Sequence, residues 1–286
     1  ASGNLTENQY ASLSYEKREE EGEFSARPNW VVLEGAALYP SEAERDTLVA
    51  NYRLDYSAMV YLEATAYNTS SSFRGGRFDW LANIDTYGFD IRNTSETTNH
   101  VFTYGVDYRN DEVESGPAEG AVENAEEGSV LGVYAQAHSA INPELTLSYG
   151  VRFDDYDFQQ DILLDEYYGD PVTDEPSGLN DSEVSMNVGL TYQLSKAWKL
   201  ALGYAEAARG KEIGDGFTID EYLYDGSDVP VVGNNVVPET VANIEGAIEY
   251  QADDLHARFT VFESTIDDVI FSGFEGDSVY NNIGDL

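Results

Sequence analysis

Tyr167, Tyr168, Phe217, Tyr222 and Tyr224 stand in polar stretches crowded with carboxylates, where burial does not readily account for them. Aromatic faces beside carboxyl and hydroxyl groups suit an amphipathic small ligand held by stacking and hydrogen bonds. The same rings can instead pack loop against loop or join an interfacial aromatic girdle. Three acidic groups accompany them: Glu112, Glu114, Glu119, Glu123, Glu126 and Glu127; Asp161, Asp165, Glu166, Asp170, Asp174, Glu175 and Asp181; and Asp215, Asp220, Glu221, Asp225 and Asp228. Clusters of this kind can bind calcium, whose ligands are carboxylate and carbonyl oxygens. None follows the spaced Asp-x-Asp-x-Asp-Gly pattern, however, and a solvated acidic surface explains them more simply.

Catalytic chemistry finds little support. Asp154-Asp155 and Asp267-Asp268 are adjacent pairs, but neighbours on a strand point to opposite faces and cannot form one two-carboxylate centre. His100, His138 and His256 are far apart in sequence, whereas metal ligation needs several converging ligands. No strained nucleophile motif is visible. The expectation is no catalytic residue, no metal site and no cofactor. Arg53, Arg92, Arg152, Arg209 and Arg258 recur on polar strand faces, where ion pairs with inward carboxylates could line a channel.

The elements that must position these residues are strands. Leu145, Leu147, Tyr149, Val151 and Phe153 alternate with Thr146, Ser148, Gly150, Arg152 and Asp154. Val184, Met186, Val188, Leu190, Tyr192 and Leu194 alternate likewise with polar residues or glycine. Helical spacing cannot produce either run. Weaker copies begin near Gln9, Thr47, Ala58, Asn83, His100, Ser129, Ala197, Thr240 and Leu255, with a partial strand at Ser278–Ile283. The count is roughly a dozen strands of about 9–13 residues, a length suited to a tilted membrane-spanning strand. Tight turns at Ile141-Asn142-Pro143, Ser195-Lys196 and Ala252-Asp253-Asp254 alternate with long polar stretches at Arg18–Arg45, Asn110–Gly128, Gln159–Asp181 and Gly210–Glu239. Short turns at one end and long loops at the other predict an all-β antiparallel transmembrane barrel with long extracellular loops.

Composition agrees. Against 15 Lys and Arg stand 54 Asp and Glu, a formal net charge of −39. Such a surface repels phosphate backbones, so nucleic-acid binding is excluded as a role. With 42% hydrophobic and 13% aromatic residues the chain is not a disordered acidic tail. The absence of cysteine excludes disulfides, thiolate metal sites and cysteine nucleophiles. Ala1–Asn4 lacks a basic region followed by an apolar core, which predicts no signal peptide. No stretch is apolar enough for a membrane helix, leaving strands as the only membrane-crossing elements.

The segment from Leu145 to Tyr156 resembles a barrel strand of TonB-dependent outer-membrane receptors, as does Trp198–Gly210. In that family a strand of this type leads into a long external loop, and a Pro-Glu-Thr element then opens the next hairpin. Val237-Pro238-Glu239-Thr240 is followed here by Asn243–Tyr250, Phe259–Phe262 and Ile266–Ile270, in matching order. The resemblance covers residues 40–286 and is most specific over 129–286. It implies a larger barrel of 22 strands around a plug, of which the whole chain, 1–286, is expected to form roughly a dozen central strands without the plug.

Uptake of a scarce nutrient across the outer membrane is the implied function. The partners would be a ferric chelate or another small nutrient, outer-membrane lipid, and a TonB-type energy-coupling protein acting through the plug. The haem-carrying branch usually shows Phe-Arg-Ala-Pro, an external histidine, then Asn-Pro-Asn-Leu. The corresponding residues here are Ala208-Arg209-Gly210-Lys211 and Asn234-Asn235-Val236-Val237, with no histidine between. The resemblance therefore points to a ferric siderophore, with Arg209, Tyr167, Tyr168, Phe217, Tyr222 and Tyr224 as ligand contacts. Two alternatives stay open: an independent small barrel, serving as a pore or a surface enzyme, and a soluble secreted β-rich binding protein stabilised by calcium. A complete small barrel would have to close its first strand on its last.

Overall fold

A computed structural model describes residues 1–24, 35, 37–76, 79–122, 124–162, 177–210, 231–232, 236–252, 254–272, 279–282 and 284–285. In chain order the strands are β1 (Ser2–Thr6), β2 (Gln9–Phe24), β3 (Tyr39–Ser57), β4 (Val60–Gly75), β5 (Trp80–Glu96), β6 (His100–Pro117), β7 (Asn124–Asn142), β8 (Leu145–Ile162), β9 (Ser177–Gln193) and β10 (Trp198–Arg209). They continue with β11 (Val231–Val232), β12 (Glu239–Ala252), β13 (Leu255–Asp267), β14 (Ile270–Ser272) and β15 (Val279–Asn282). Twelve of them form one antiparallel sheet in the order β1-β2-β3-β4-β5-β6-β7-β8-β9-β10-β12-β13. Every strand there pairs with its neighbour in sequence, β11 apart, the up-and-down meander of a membrane barrel wall. β1 and β13 are the sheet's edges and do not pair with each other among the described residues.

Alternation sets the two faces. On β8, Leu145, Leu147, Tyr149, Val151 and Phe153 face outward, and five more apolar side chains on β9 continue that band from Val184 to Tyr192. Val151, Phe153, Val184, Met186 and Val188 are all exposed, as lipid-facing residues of a barrel must be. Arg152, Asp154, Tyr156 and Phe158 share the opposite, inner face, and Asp154 is buried while Asp155 is exposed. From Leu145 to Phe153 the outer band covers about 27 Å of strand, enough to cross a hydrocarbon core when tilted. Tight turns join the strands at one end; at β7–β8 the Asn142 side chain accepts from the N–H groups of Glu144 and Leu145 at 3.0 and 2.9 Å.

Strand lengths differ from those expected. β3 and β7 have 19 residues and β6 and β8 have 18, well beyond 9–13. The excess lies at the long-loop end. β2 continues to Phe24, so the first long connection is 25–38 rather than Arg18–Arg45. β6 and β7 remain paired as far as Ser115 and Asn124, which reduces the expected Asn110–Gly128 loop to 118–123. Glu112, Glu114, Glu126 and Glu127 are therefore strand residues, and Glu126 is buried. Above the membrane both faces of a strand are wet, so the apolar alternation vanishes while the backbone ladder persists.

The Ser278–Ile283 strand is also placed differently. It appears as β15, which pairs in parallel with β11 and antiparallel with β14 in a separate three-stranded sheet. Close by, Phe158, Leu179 and Val236 form a small buried cluster against which Ile270 packs.

Candidate functional site

The inner face of β4–β8 is built on glycine slots. Tyr67 of β4 lies across Gly88 of β5, Tyr134 of β7 across Gly105 of β6, and Arg152 of β8 across Gly132 of β7. A Cβ at any of the three would collide with the side chain lying over it. The slots let long polar side chains lie flat along the wall and reach a second strand. Asp107, Gly132 and Asp154 form one cross-strand row over β6, β7 and β8. Over that row the Arg152 guanidinium joins Asp107 (Nη1–Oδ2 2.6 Å, Nη2–Oδ1 2.8 Å) to Asp154 (Nε–Oδ1 2.8 Å).

The network extends sideways. Tyr134 donates its hydroxyl to Asp90 at 3.1 Å, and the Arg152 guanidinium sits 5.7 Å from the Tyr134 ring centre. Arg92 pairs with Glu63, its direct cross-strand neighbour, at 3.0 Å. Arg109 pairs with Asp111 at 2.6 Å, and Asp111 also accepts from Thr86 Oγ1 at 2.6 Å. Charge-assisted pairs of this geometry fix the wall's side chains in place.

Above the network the wall opens into a cleft of about 380 Å³ whose lining includes Tyr67, Asp107, Arg109, Arg152, Tyr156 and Arg209. Tyr156 donates to the Ala208 carbonyl at 3.2 Å, which ties β8 to the end of β10. Arg209 pairs with Glu239 (Nε–Oε1 2.9 Å), whose other oxygen accepts from the Ile270 N–H at 3.2 Å. Phenol rings, a phenyl ring and fixed ion pairs around one opening can hold an amphipathic molecule by stacking and hydrogen bonds.

Of the sequence-predicted ligand contacts, Arg209 lines this cleft, while Tyr167, Tyr168, Phe217, Tyr222 and Tyr224 lie outside the described residues. So do Glu123 and most of the acids in the last two groups. The three histidines all lie near short turns. His100 bonds Ser139 Oγ at 2.8 Å, and His256 Nε2 lies 3.3 Å from Glu249. His138 is four residues before the end of β7. They do not meet one another. Tyr67, Asp90, Asp107, Arg109, Tyr134 and Tyr156 were not singled out from sequence. Their inward parity was readable, but their convergence depends on the register of five strands.

A twelve-stranded up-and-down wall, apolar outside and lined with ion pairs inside, has the architecture of an outer-membrane barrel wall. Residues 3–286 match the family described as TonB dependent receptor-like, beta-barrel. The chain belongs to that family, whose barrels are outer-membrane proteins of Gram-negative bacteria that serve as receptors and transporters. Among solved structures it is similar to the FrpB iron transporter of Neisseria meningitidis (F3-3 variant), with a TM-score of 0.74 and 16% identity, covering 97% of this chain and 46% of that one. It is also similar to the Serratia marcescens hemophore receptor HasR, seen with its hemophore HasA and heme, with a TM-score of 0.75 and 16% identity, covering 99% and 49%. A curated relative is Heme/hemopexin utilization protein C of Haemophilus influenzae, 26% identical over 208 residues, which are 65% of this chain and 27% of that protein. The chain thus spans about half of the solved receptors and about a quarter of the curated relative.

Proposed function

We propose that this chain is the central wall of an outer-membrane receptor that takes up a ferric siderophore. The observation that carries the reading is the lumenal cleft at the loop end of β8 and β10, where tyrosines and a fixed ion-pair network face the barrel interior. Extracellular loops capture the chelate, and the wall guides it inward once an energy-coupling partner acts through a plug. A barrel in the outer membrane has no energy source of its own, so uphill uptake requires that coupling. An independent small barrel would need β1 to pair with β13, and the described sheet ends at both.

Haem is the second reading, favoured by the curated relative in haem utilisation. Against it stands the placement of the histidines near the short turns, remote from the long loops. A haem receptor would usually present an axial side chain, most often histidine, on its capture side. The two readings part in one experiment on the full-length receptor. Replacing Phe217, Tyr222 and Tyr224 together by alanine is expected to weaken ferric-siderophore binding and growth on that chelate. The barrel should remain folded, because exposed loop changes usually cost little stability. Unchanged chelate affinity would remove the loop from the site. Tight haem binding that depends on His100, His138 or His256 would replace the siderophore by haem.

A further inference from the structure

We infer that the chelate passing this wall carries no net negative charge: it is neutral or cationic, as ferric hydroxamates are, rather than a polyanionic catecholate or carboxylate complex. The inference rests on the uptake reading above and deepens it. The inward-facing charged side chains of the cleft lining are three arginines and four aspartates, an excess of one negative charge, Asp157 lying on the outer face where it accepts from Asn180.

None of those arginines is left without a carboxylate. Arg152 is shared by Asp107 and Asp154, Arg109 is held by Asp111, and Arg209 by Glu239, a further acid. Arg109 and Arg209 are neutralised by acids on their Nε edges. At Arg152, whose Nε, Nη1 and Nη2 are all engaged, an anionic ligand would have to displace a carboxylate and leave an unpaired charge in a partly buried wall. That exchange is costly. A cation or a neutral hydrogen-bonding ligand can approach the free oxygen lone pairs and the tyrosine hydroxyls without breaking a pair.

The sequence that flanks the cleft residues has the same sign. The cleft lining includes Phe158 near the end of β8 and Gly210 just past β10. The segments that follow these ends, 163–176 and 211–235, contain eleven Asp and Glu and one Lys. An excess of one sign of charge concentrates ligands of the opposite sign and repels those of its own. Arg53, which stacks on the Tyr10 ring at 5.4 Å, lies outside the cleft on β3 and offers no compensating charge there.

The test uses the purified full-length receptor and two iron complexes of similar size: a ferric trihydroxamate bearing a free ammonium group and a ferric tris-catecholate. The trihydroxamate is expected to bind at least tenfold more tightly at low salt, and its affinity should fall as salt rises. In the triple variant Asp107→Asn, Asp111→Asn, Asp154→Asn, which frees Arg109 and Arg152, the preference should narrow by about tenfold, the scale of a few partly screened charges at contact range. Heat-modifiable migration of the barrel would show that the variant folds.

Tighter binding of the tris-catecholate, weakening with salt, would overturn the inference and leave the uptake reading intact. Equal affinities with no salt response would overturn it likewise. If neither complex bound, and cells producing the receptor took up neither, the siderophore reading itself would fall and the charge inference with it.

Discussion

Replacing Arg152 by methionine is expected to cost the barrel about 2–3 kcal/mol, somewhat less than a fully buried broken pair because the site is partly wet. Methionine keeps most of the side-chain length but removes the charge that Asp107 and Asp154 share. Asp154 is 6% exposed at its side chain and Asp107 27%, so at least one carboxylate is left both buried and unpaired. The lost interaction and the stranded charge act in the same direction. Adding Asp107→Asn and Asp154→Asn to the methionine variant should restore most of the stability, since no charge then remains to be desolvated. Urea unfolding of the folded barrel in detergent measures both. If the single variant matched the parent, the network would be decorative.

Gly88→Ala is expected to be nearly as damaging, for a steric reason. A Cβ there would meet the backbone carbonyl oxygen of Tyr108 as well as the Tyr67 hydroxyl, 2.6 Å away. A hydroxyl can swing aside, but the carbonyl belongs to the β5–β6 ladder and can move only with the strand. Overpacking of this kind costs about 1–3 kcal/mol. Gly246→Ala is the control. Its nearest contacts would be Leu202 Cδ2 at 3.5 Å and Val261 Cγ2 at 3.9 Å, ordinary van der Waals distances. On the lipid side an added methyl group meets only side chains, and the stability of that variant should stay within a few tenths of a kcal/mol of the parent. Similar losses for both glycines would mean that the Tyr108 carbonyl does not crowd Gly88 as described.

These two sites also show how far the sequence could be read. The runs Leu145–Asp154 and Val184–Leu194 announce strands because lipid on one side and a polar lumen on the other impose a period of two. The same contrast announces the tight turns at Pro143 and Ser195, where the alternation stops. It disappears above the membrane. Glu112, Glu114 and Glu127 stand in water on the outer face of their strands, and nothing in their residue types distinguishes a paired strand from a loop.

The site was legible in part. Arg152 and Arg92 could be placed on the inner face by parity alone. That Arg152 would reach Asp107, 45 residues earlier, could not be foreseen, because it depends on the register of β6, β7 and β8 and on Gly132 being the residue between. A glycine in a strand reads as a weakness when seen singly. Here it is the slot through which two strands communicate.

The most direct test of the proposed function is the uptake of a radiolabelled ferric siderophore by cells producing the full-length receptor, measured with and without an energised inner membrane. A receptor coupled to an energy source predicts uptake that saturates at low chelate concentration, accumulates against the gradient, and stops when the membrane is de-energised. Uptake that rises linearly with concentration, equilibrates across the outer membrane and ignores de-energisation would identify a passive pore instead and contradict the account.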